Sequence, residues 1–196
     1  MIKAIIFDFG GVLIQSGQLE VLSKDFGKKI NKDPKYIYDT IKKHWEIAKI
    51  GTISNSLFWQ YVAEEIGCDE MELKEYITGY NKQQINRDVL EYIKTLRGKY
   101  ILAILSNHVN HDFDEELKEY NPKDLFDYVI TSANIQMKKP NLEIYIKTAK
   151  ILNVDPENCI FVDDMENNII AAEEIGMKGV LFTTLEEVKK KIEELL

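Results

Sequence analysis

With 196 residues, 45% hydrophobic and 30% charged, the chain can bury one sizeable core, or a core with a smaller attached domain. Its net charge of -8 argues against a nucleic-acid or anionic-membrane partner, which would need a basic footprint. The acidic balance still leaves room for a small phosphate ligand in a locally positive pocket.

Met1–Ile6 is apolar, but Asp8 interrupts the run and no small-residue cleavage site follows, so a signal peptide is not expected. Ile2–Phe7 reads instead as a buried strand that ends at Asp8 and turns at Gly10-Gly11. From Gln15 to Gln84 strand signals vanish. Leu19, Leu22, Ile37, Ile41, Trp45, Leu57, Trp59, Tyr61, Val62 and Ile66 fall at helical spacing, with breaks at Asp33-Pro34, Gly51-Thr52 and Gly67, which predicts three or four amphipathic helices. Asn86 opens a further helix with Val89, Leu90, Ile93 and Leu96 on one face and Gly98 beyond its end.

Strands and helices then alternate. Tyr100–Leu105 reads as a strand ending at Ser106, Tyr128–Thr131 as a second, and Leu142–Leu152 as a helix. Cys159–Val162 reads as a strand ending at Asp163, Asn168–Ile175 as a helix closed by Gly176, and Gly179–Phe182 as a strand. Thr184 caps a last helix, with Glu187 placed for a capping box and a Lys/Glu-rich solvated face. Alternation of this kind predicts an α/β class with a Rossmann-like, mostly parallel sheet. The core is expected in residues 1–14 and 86–196, with residues 15–85 as an inserted small helical-bundle cap. No run is long enough to span a membrane. Cys68 and Cys159 are far apart and lack metal-ligand spacing, so they read as reduced thiols of a cytoplasmic protein.

The chemistry lies at the strand ends. In a parallel sheet, Asp8, Ser106-Asn107 and Asp163-Asp164 share one edge, and Lys139 of Lys138-Lys139-Pro140 is available to join them. Carboxylates gathered together raise one another's pKa, and a hard cation such as Mg²⁺ relieves the repulsion through oxygen ligands. A hydroxyl, an amide and a lysine beside that ion suit the other oxygens of a phosphate. The set describes phosphoryl transfer.

These four stretches resemble the haloacid dehalogenase-like hydrolase superfamily, on the branch whose cap is inserted after the first motif. Asp8-Phe9-Gly10-Gly11-Val12 resembles its first motif and Leu105-Ser106-Asn107 its second. Lys139-Pro140 followed by Glu143-Ile144-Tyr145 resembles its third. Phe161-Val162-Asp163-Asp164, with Asn168 and Ala172 downstream, resembles its fourth. The resemblance implies a phosphatase of a small phosphorylated metabolite such as a sugar phosphate, with Asp8 forming an aspartyl-phosphate. Mg²⁺ would sit on Asp8, Asp164 and the carbonyl of Gly10, with Asp163 supporting the metal site. Gly10, Gly11, Ser106, Asn107 and Lys139 would hold the phosphate, and Asn168 would orient the acidic loop. The implied partner is a small phosphate ester, handled by a monomer or homodimer.

The chain departs from the family pattern at two positions. Gly10 stands where the phosphatases usually carry a second aspartate that protonates the leaving group, and Gln136 stands where glycine is frequent. Gly10 leaves two rival readings open, a metal-free dehalogenase and a non-catalytic phosphate-binding protein. It also leaves open that the backbone there requires a positive φ. His108 is expected in an exposed loop, where it is a candidate for the missing acid, and His111 on the surface. Lys138 is expected as a solvated charge. Trp45, Phe58 and Trp59 are expected to pack inside the helical insertion, with Trp45 or His44 as alternative pocket residues.

Overall fold

In a computed structural model of the protein, the structure describes residues 1–15, 18–109 and 122–196. A five-stranded parallel sheet forms from β1 (Ala4–Phe7), β2 (Ile101–Ser106), β3 (Tyr128–Thr131), β4 (Cys159–Asp163) and β5 (Lys178–Leu181), in the order β3-β2-β1-β4-β5. The apolar runs form strands because both sheet faces are covered, so every side chain of β1 is buried rather than every second one. The first strand is shorter than expected. Ile2 and Lys3 stay outside the ladder, although the Lys3 N–H donates to Asn158 O and its carbonyl accepts from Ile101 N–H.

Three apolar clusters hold the molecule together. On one sheet face, Ile5 and Phe7 pack with Val89, Leu90 and Ile93 of α5 (Arg87–Leu96) and with Val188 and Ile192 of α8 (Leu185–Leu195). On the other, Ala4, Ile6 and Phe161 pack with Ile144, Tyr145 and Ala149 of α6 (Leu142–Leu152) and with Ile169 and Ala172 of α7 (Glu166–Glu174). The third cluster belongs to four helices, α1 (Gln18–Ile30), α2 (Pro34–Ala48), α3 (Asn55–Ile66) and α4 (Glu70–Gln83), packed through Leu22, Phe26, Ile37, Phe58 and Val62.

Local chemistry sets where these helices start and stop. Asp33 caps α2 by accepting from Lys35 N–H, with Pro34 at the first helical position, where a missing N–H costs nothing. Ser54 and Asp69 cap α3 and α4, and Gly67 ends α3 in the left-handed conformation. At α8 the Thr184 hydroxyl accepts from Glu187 N–H, whereas the Glu187 carboxylate takes the Thr183 hydroxyl.

The chain leaves the sheet for α1–α4 and returns along one short ribbon. Ile14 and Ile85 pair antiparallel, Gln15 N–H donates to Gln84 O over 3.1 Å, and Asn86 N–H donates to Leu13 O over 2.8 Å. Ser132–Ile135 forms one helical turn that the sequence reading lacks, because four residues carry no periodicity. Gln136 closes it at φ 54, so the residue standing where glycine is frequent takes the left-handed turn itself.

Candidate active site

The sheet order reverses beside β1. The chain proceeds outward through β2 and β3, then returns to place β4 on the other side of β1. Ligands of open parallel sheets bind at such switch points, beyond the carboxyl ends of the strands. Phe7 pairs with Val162 and with Ile104, and Asp8 N–H donates to Val162 O over 2.8 Å. That register brings Asp8, Asp163 and Ser106 to the same edge.

Lys139 joins two of the carboxylates. Its ammonium lies 2.7 Å from Asp8 Oδ1 and 2.6 Å from Asp163 Oδ2, with only 2% of its side chain exposed. The Asn107 side chain clamps the lysine's backbone from both sides, donating to Lys139 O over 3.0 Å and accepting from Lys139 N–H over 2.8 Å. Asp163 is fully buried and saturated. It accepts from Met165 N–H, from Lys139 and from Asn168 Nδ2, which lies 2.9 and 3.0 Å from its two oxygens. Asp8 is engaged on one oxygen by Lys139 and by Phe9 N–H at 2.7 Å.

Burial pushes the Asp8 carboxyl up from its ordinary 3.8 to about 7, with Lys139 pulling it down and Asp163 pushing it up. Asp164 moves upward too, first through desolvation and then through Asp163. One lysine thus faces three carboxylates whose ligand oxygens lie within 4.8 Å of one another. This is a charge excess that a hard cation would relieve. The donors fit Mg²⁺, being carboxylate oxygens. The turn before them fits as well: a Cβ on Gly11, whose φ is 79, would stand 2.0 Å from Asp164 Oδ2, so only glycine lets the backbone wrap that carboxylate.

Asp8, Gly10, Gly11, Ser106, Asn107, Lys139, Asp164 and Asn168 line one cleft of about 450 Å³, and Asp163 braces it from beneath. One expectation is corrected. His108 is buried rather than exposed, because Phe9 and Trp45 stand edge-on to its ring at centroid distances of 5.8 and 5.0 Å. Its Nδ1 lies 2.7 Å from the Val109 carbonyl, which can only accept, so Nδ1 carries a proton. His44 pairs with Glu65 Oε2 at 2.8 Å and does not line the cleft, whereas Trp45 does. Lys138 is half-exposed and lies 3.9 Å from Glu46; His111 lies outside the described residues.

Leu19, Asn81, Met165 and Ser132 escape a sequence reading. Leu19 and Asn81 reach the cleft from helices without a motif, and Met165 from the turn directly after Asp164. The Ser132 hydroxyl accepts from His108 N–H over 3.0 Å and donates to the Lys49 carbonyl, tying the loop after β2 to the end of α2. Nothing in the sequence around Ser132 announces this link.

A family model described as haloacid dehalogenase-like hydrolase matches residues 2–176. The chain belongs to this family. It is a hydrolase with the family's α/β fold. It is 29% identical over 188 residues to the sesquiterpene phosphatase astK of Aspergillus oryzae, covering 92% of this chain and 90% of that one. It is 25% identical over 189 residues to the pyrophosphatase PpaX of Bacillus cereus, covering 90% and 81%. Among solved structures it superposes on the HAD family enzyme bt-2542 of Bacteroides thetaiotaomicron, in complex with magnesium and inorganic phosphate. That match has a TM-score of 0.73 at 22% identity and covers 93% of this chain and 95% of that one.

Proposed function

We propose that this chain is a phosphatase that hydrolyses a small phosphate monoester through Asp8. The observation that carries the reading is the meeting of Asp8, Asp163 and Asp164 with Lys139 in one cleft at the switch point. The phosphatase names of two relatives support it.

In this reading Asp8 attacks phosphorus. Its O–P bond forms as the ester O–P bond breaks, and the alkoxide departs and takes a proton. Water then attacks the acyl phosphate, releasing inorganic phosphate and restoring the carboxylate. Lys139 neutralises Asp8 and the transferring group. Ser106, Asn107 and the Gly10-Gly11 backbone hold the phosphoryl oxygens. Asp8, Asp164 and the Gly10 carbonyl would hold Mg²⁺, which when bound supplies positive charge opposite the phosphoryl oxygens. Asp163 and Asn168 orient the loop. Residues 15–85 serve as a cap over the site, and the ribbon at Gln15 and Gln84 is its hinge.

A cytoplasmic, monomeric or homodimeric protein without nucleic-acid or membrane partners fits the acidic balance and the free thiols of Cys68 and Cys159. No described helix is long and apolar enough to cross a membrane.

The metal is tested by removing it. Phosphate release should vanish with a chelator and return with Mg²⁺, and Asp164→Ala should raise the Mg²⁺ requirement or abolish activity. Chelator-resistant turnover would favour the metal-free dehalogenase reading.

Gly10 makes a second test possible. A Cβ there meets nothing within 4 Å, and its φ, unlike that of Gly11, lies outside the left-handed region. The backbone therefore does not demand glycine at this position. Without an acid, acidic leaving groups such as aryl and anomeric phosphates should react well. Simple alkyl phosphates should lag by up to the ~10²–10⁴ that a positioned acid contributes. Gly10→Asp should narrow that gap. Equal rates on all three esters, with no gain in the variant, would mean that another group already donates the proton.

A further inference from the structure

A second cavity, of about 220 Å³, lies among α1–α4. Its walls include Leu22, Ile41, Phe58, Trp59 and Ile77, together with Lys42. Leu19, Trp45, Asn81 and His108 line both this cavity and the catalytic cleft, so one wall serves the two volumes. The edge-to-face pair of Trp45 and His108 stands where they meet.

We infer that this cavity receives the apolar portion of the substrate, and that the chain acts on phosphate monoesters bearing a hydrocarbon tail rather than on sugar phosphates. A sugar would carry several hydroxyls into a lining that is mostly leucine, isoleucine, phenylalanine and tryptophan, with polar groups from Lys42, Asn81 and His108, and each hydroxyl left without a partner loses its hydration uncompensated. An alkyl, aryl-alkyl or prenyl tail has nothing to pair and gains from leaving water. The volume is about seven times the ~30 Å³ that one water occupies in the liquid, which suits a tail of limited length. The phosphate would rest at Asp8 and Lys139 while the tail passes Leu19 and Trp45. The inference rests on the phosphatase reading for its phosphate end only.

The test uses the full chain with Mg²⁺ and a series of 4-alkylphenyl phosphates from methyl to octyl. The phenol leaving group hardly changes along this series, so the tail alone is varied. KM should fall about fourfold per added methylene, on the order of a thousandfold between methyl and hexyl, and level off once the cavity is full. kcat should stay nearly constant, as expected of binding shared by ground and transition states. Glucose 6-phosphate should be a poor substrate.

A readout independent of turnover comes from fluorescence. The chain has two tryptophans, and both line the cavity. Titrating 4-octylphenol into chelator-treated protein should therefore shift their emission saturably. Ile77→Asp should erase the dependence of KM on tail length. Ile77→Phe, which keeps the wall apolar but takes up room, should shorten the tail at which KM levels off. Flat KM values along the series with good turnover of glucose 6-phosphate would overturn the inference and leave the phosphatase reading standing. Saturable binding of 4-octylphenol without hydrolysis of any phosphate would overturn the phosphatase reading, and with it the substrate class, and leave only the cavity's preference for a hydrocarbon tail.

Discussion

Asp8→Asn should reduce phosphate release by ~10⁴ or more, because the carboxylate proposed to attack phosphorus is lost while its shape is kept. The fold should survive. Asparagine retains an oxygen for the Phe9 N–H, and β1 keeps its pairing with β2 and β4. The metal-free protein should also become more resistant to heat above neutral pH. In the wild type, burial holds the folded pKa of Asp8 near 7, above its ordinary 3.8. The folded state therefore binds this proton more tightly than the unfolded state, and ionisation of Asp8 drains stability as pH rises from about 4 to about 7. The asparagine variant lacks that slope. Phosphate release together with Tm against pH in chelator checks both halves. Wild-type turnover by the variant would remove Asp8 from the mechanism.

Lys139→Met should be the most damaging single change to stability and should nearly silence the site. The ammonium is the charge partner of both Asp8 and Asp163, at 2.7 and 2.6 Å. Removing one member of a buried ion network leaves the others uncompensated, at a cost of about 3–5 kcal/mol. Asp8 would also lose the attraction that lowers its pKa, so more of it would be protonated at neutral pH and unable to attack. Loss of a positive charge opposite the transferring phosphoryl group should take a further ~10²–10³ from kcat. A double variant with Asp163→Asn should recover much of the stability and none of the turnover, as read by denaturant midpoint and phosphate release. Turnover near that of the wild type in Lys139→Met would overturn this role.

The sheet edge that forms the cleft was legible because its polar groups follow short apolar runs. Asp8, Ser106 and Asp163 stand at the ends of Ala4–Phe7, Leu102–Leu105 and Cys159–Val162, and parallel pairing does the rest. Lys139 belongs to a loop with no periodicity, and its place before Pro140 together with its resemblance to a known motif pointed to it. His108 was misjudged because Trp45, the residue that buries it, arrives from a helix more than sixty positions earlier. Contacts of that separation leave no mark in a local pattern. Gly10 and Gly11 look alike in sequence, yet only Gly11 meets a neighbour that forbids a side chain. The apolar cavity was hidden for a similar reason. Trp45, Phe58 and Trp59 have the spacing of ordinary packing residues, and helical periodicity does not say where packing stops short.

The position of β1 also governs how the chain reaches this form. Of the five strands it is the first in the chain, yet it lies at the middle of the sheet, with β2 of residues 101–106 on one side and β4 of residues 159–163 on the other. Both of its edges stay unpaired until most of the polypeptide has been made. Meanwhile α1–α4, whose contacts are local, can assemble around Phe26 and Phe58 as soon as they emerge. The strand that leads into Asp8 therefore waits longest for its neighbours. An unpaired IIF stretch during that wait is a hazard for intermolecular strand pairing. Aspartate directly after it, at Asp8, places a charge where such pairing would continue, so the carboxylate placed at the cleft also guards the nascent strand.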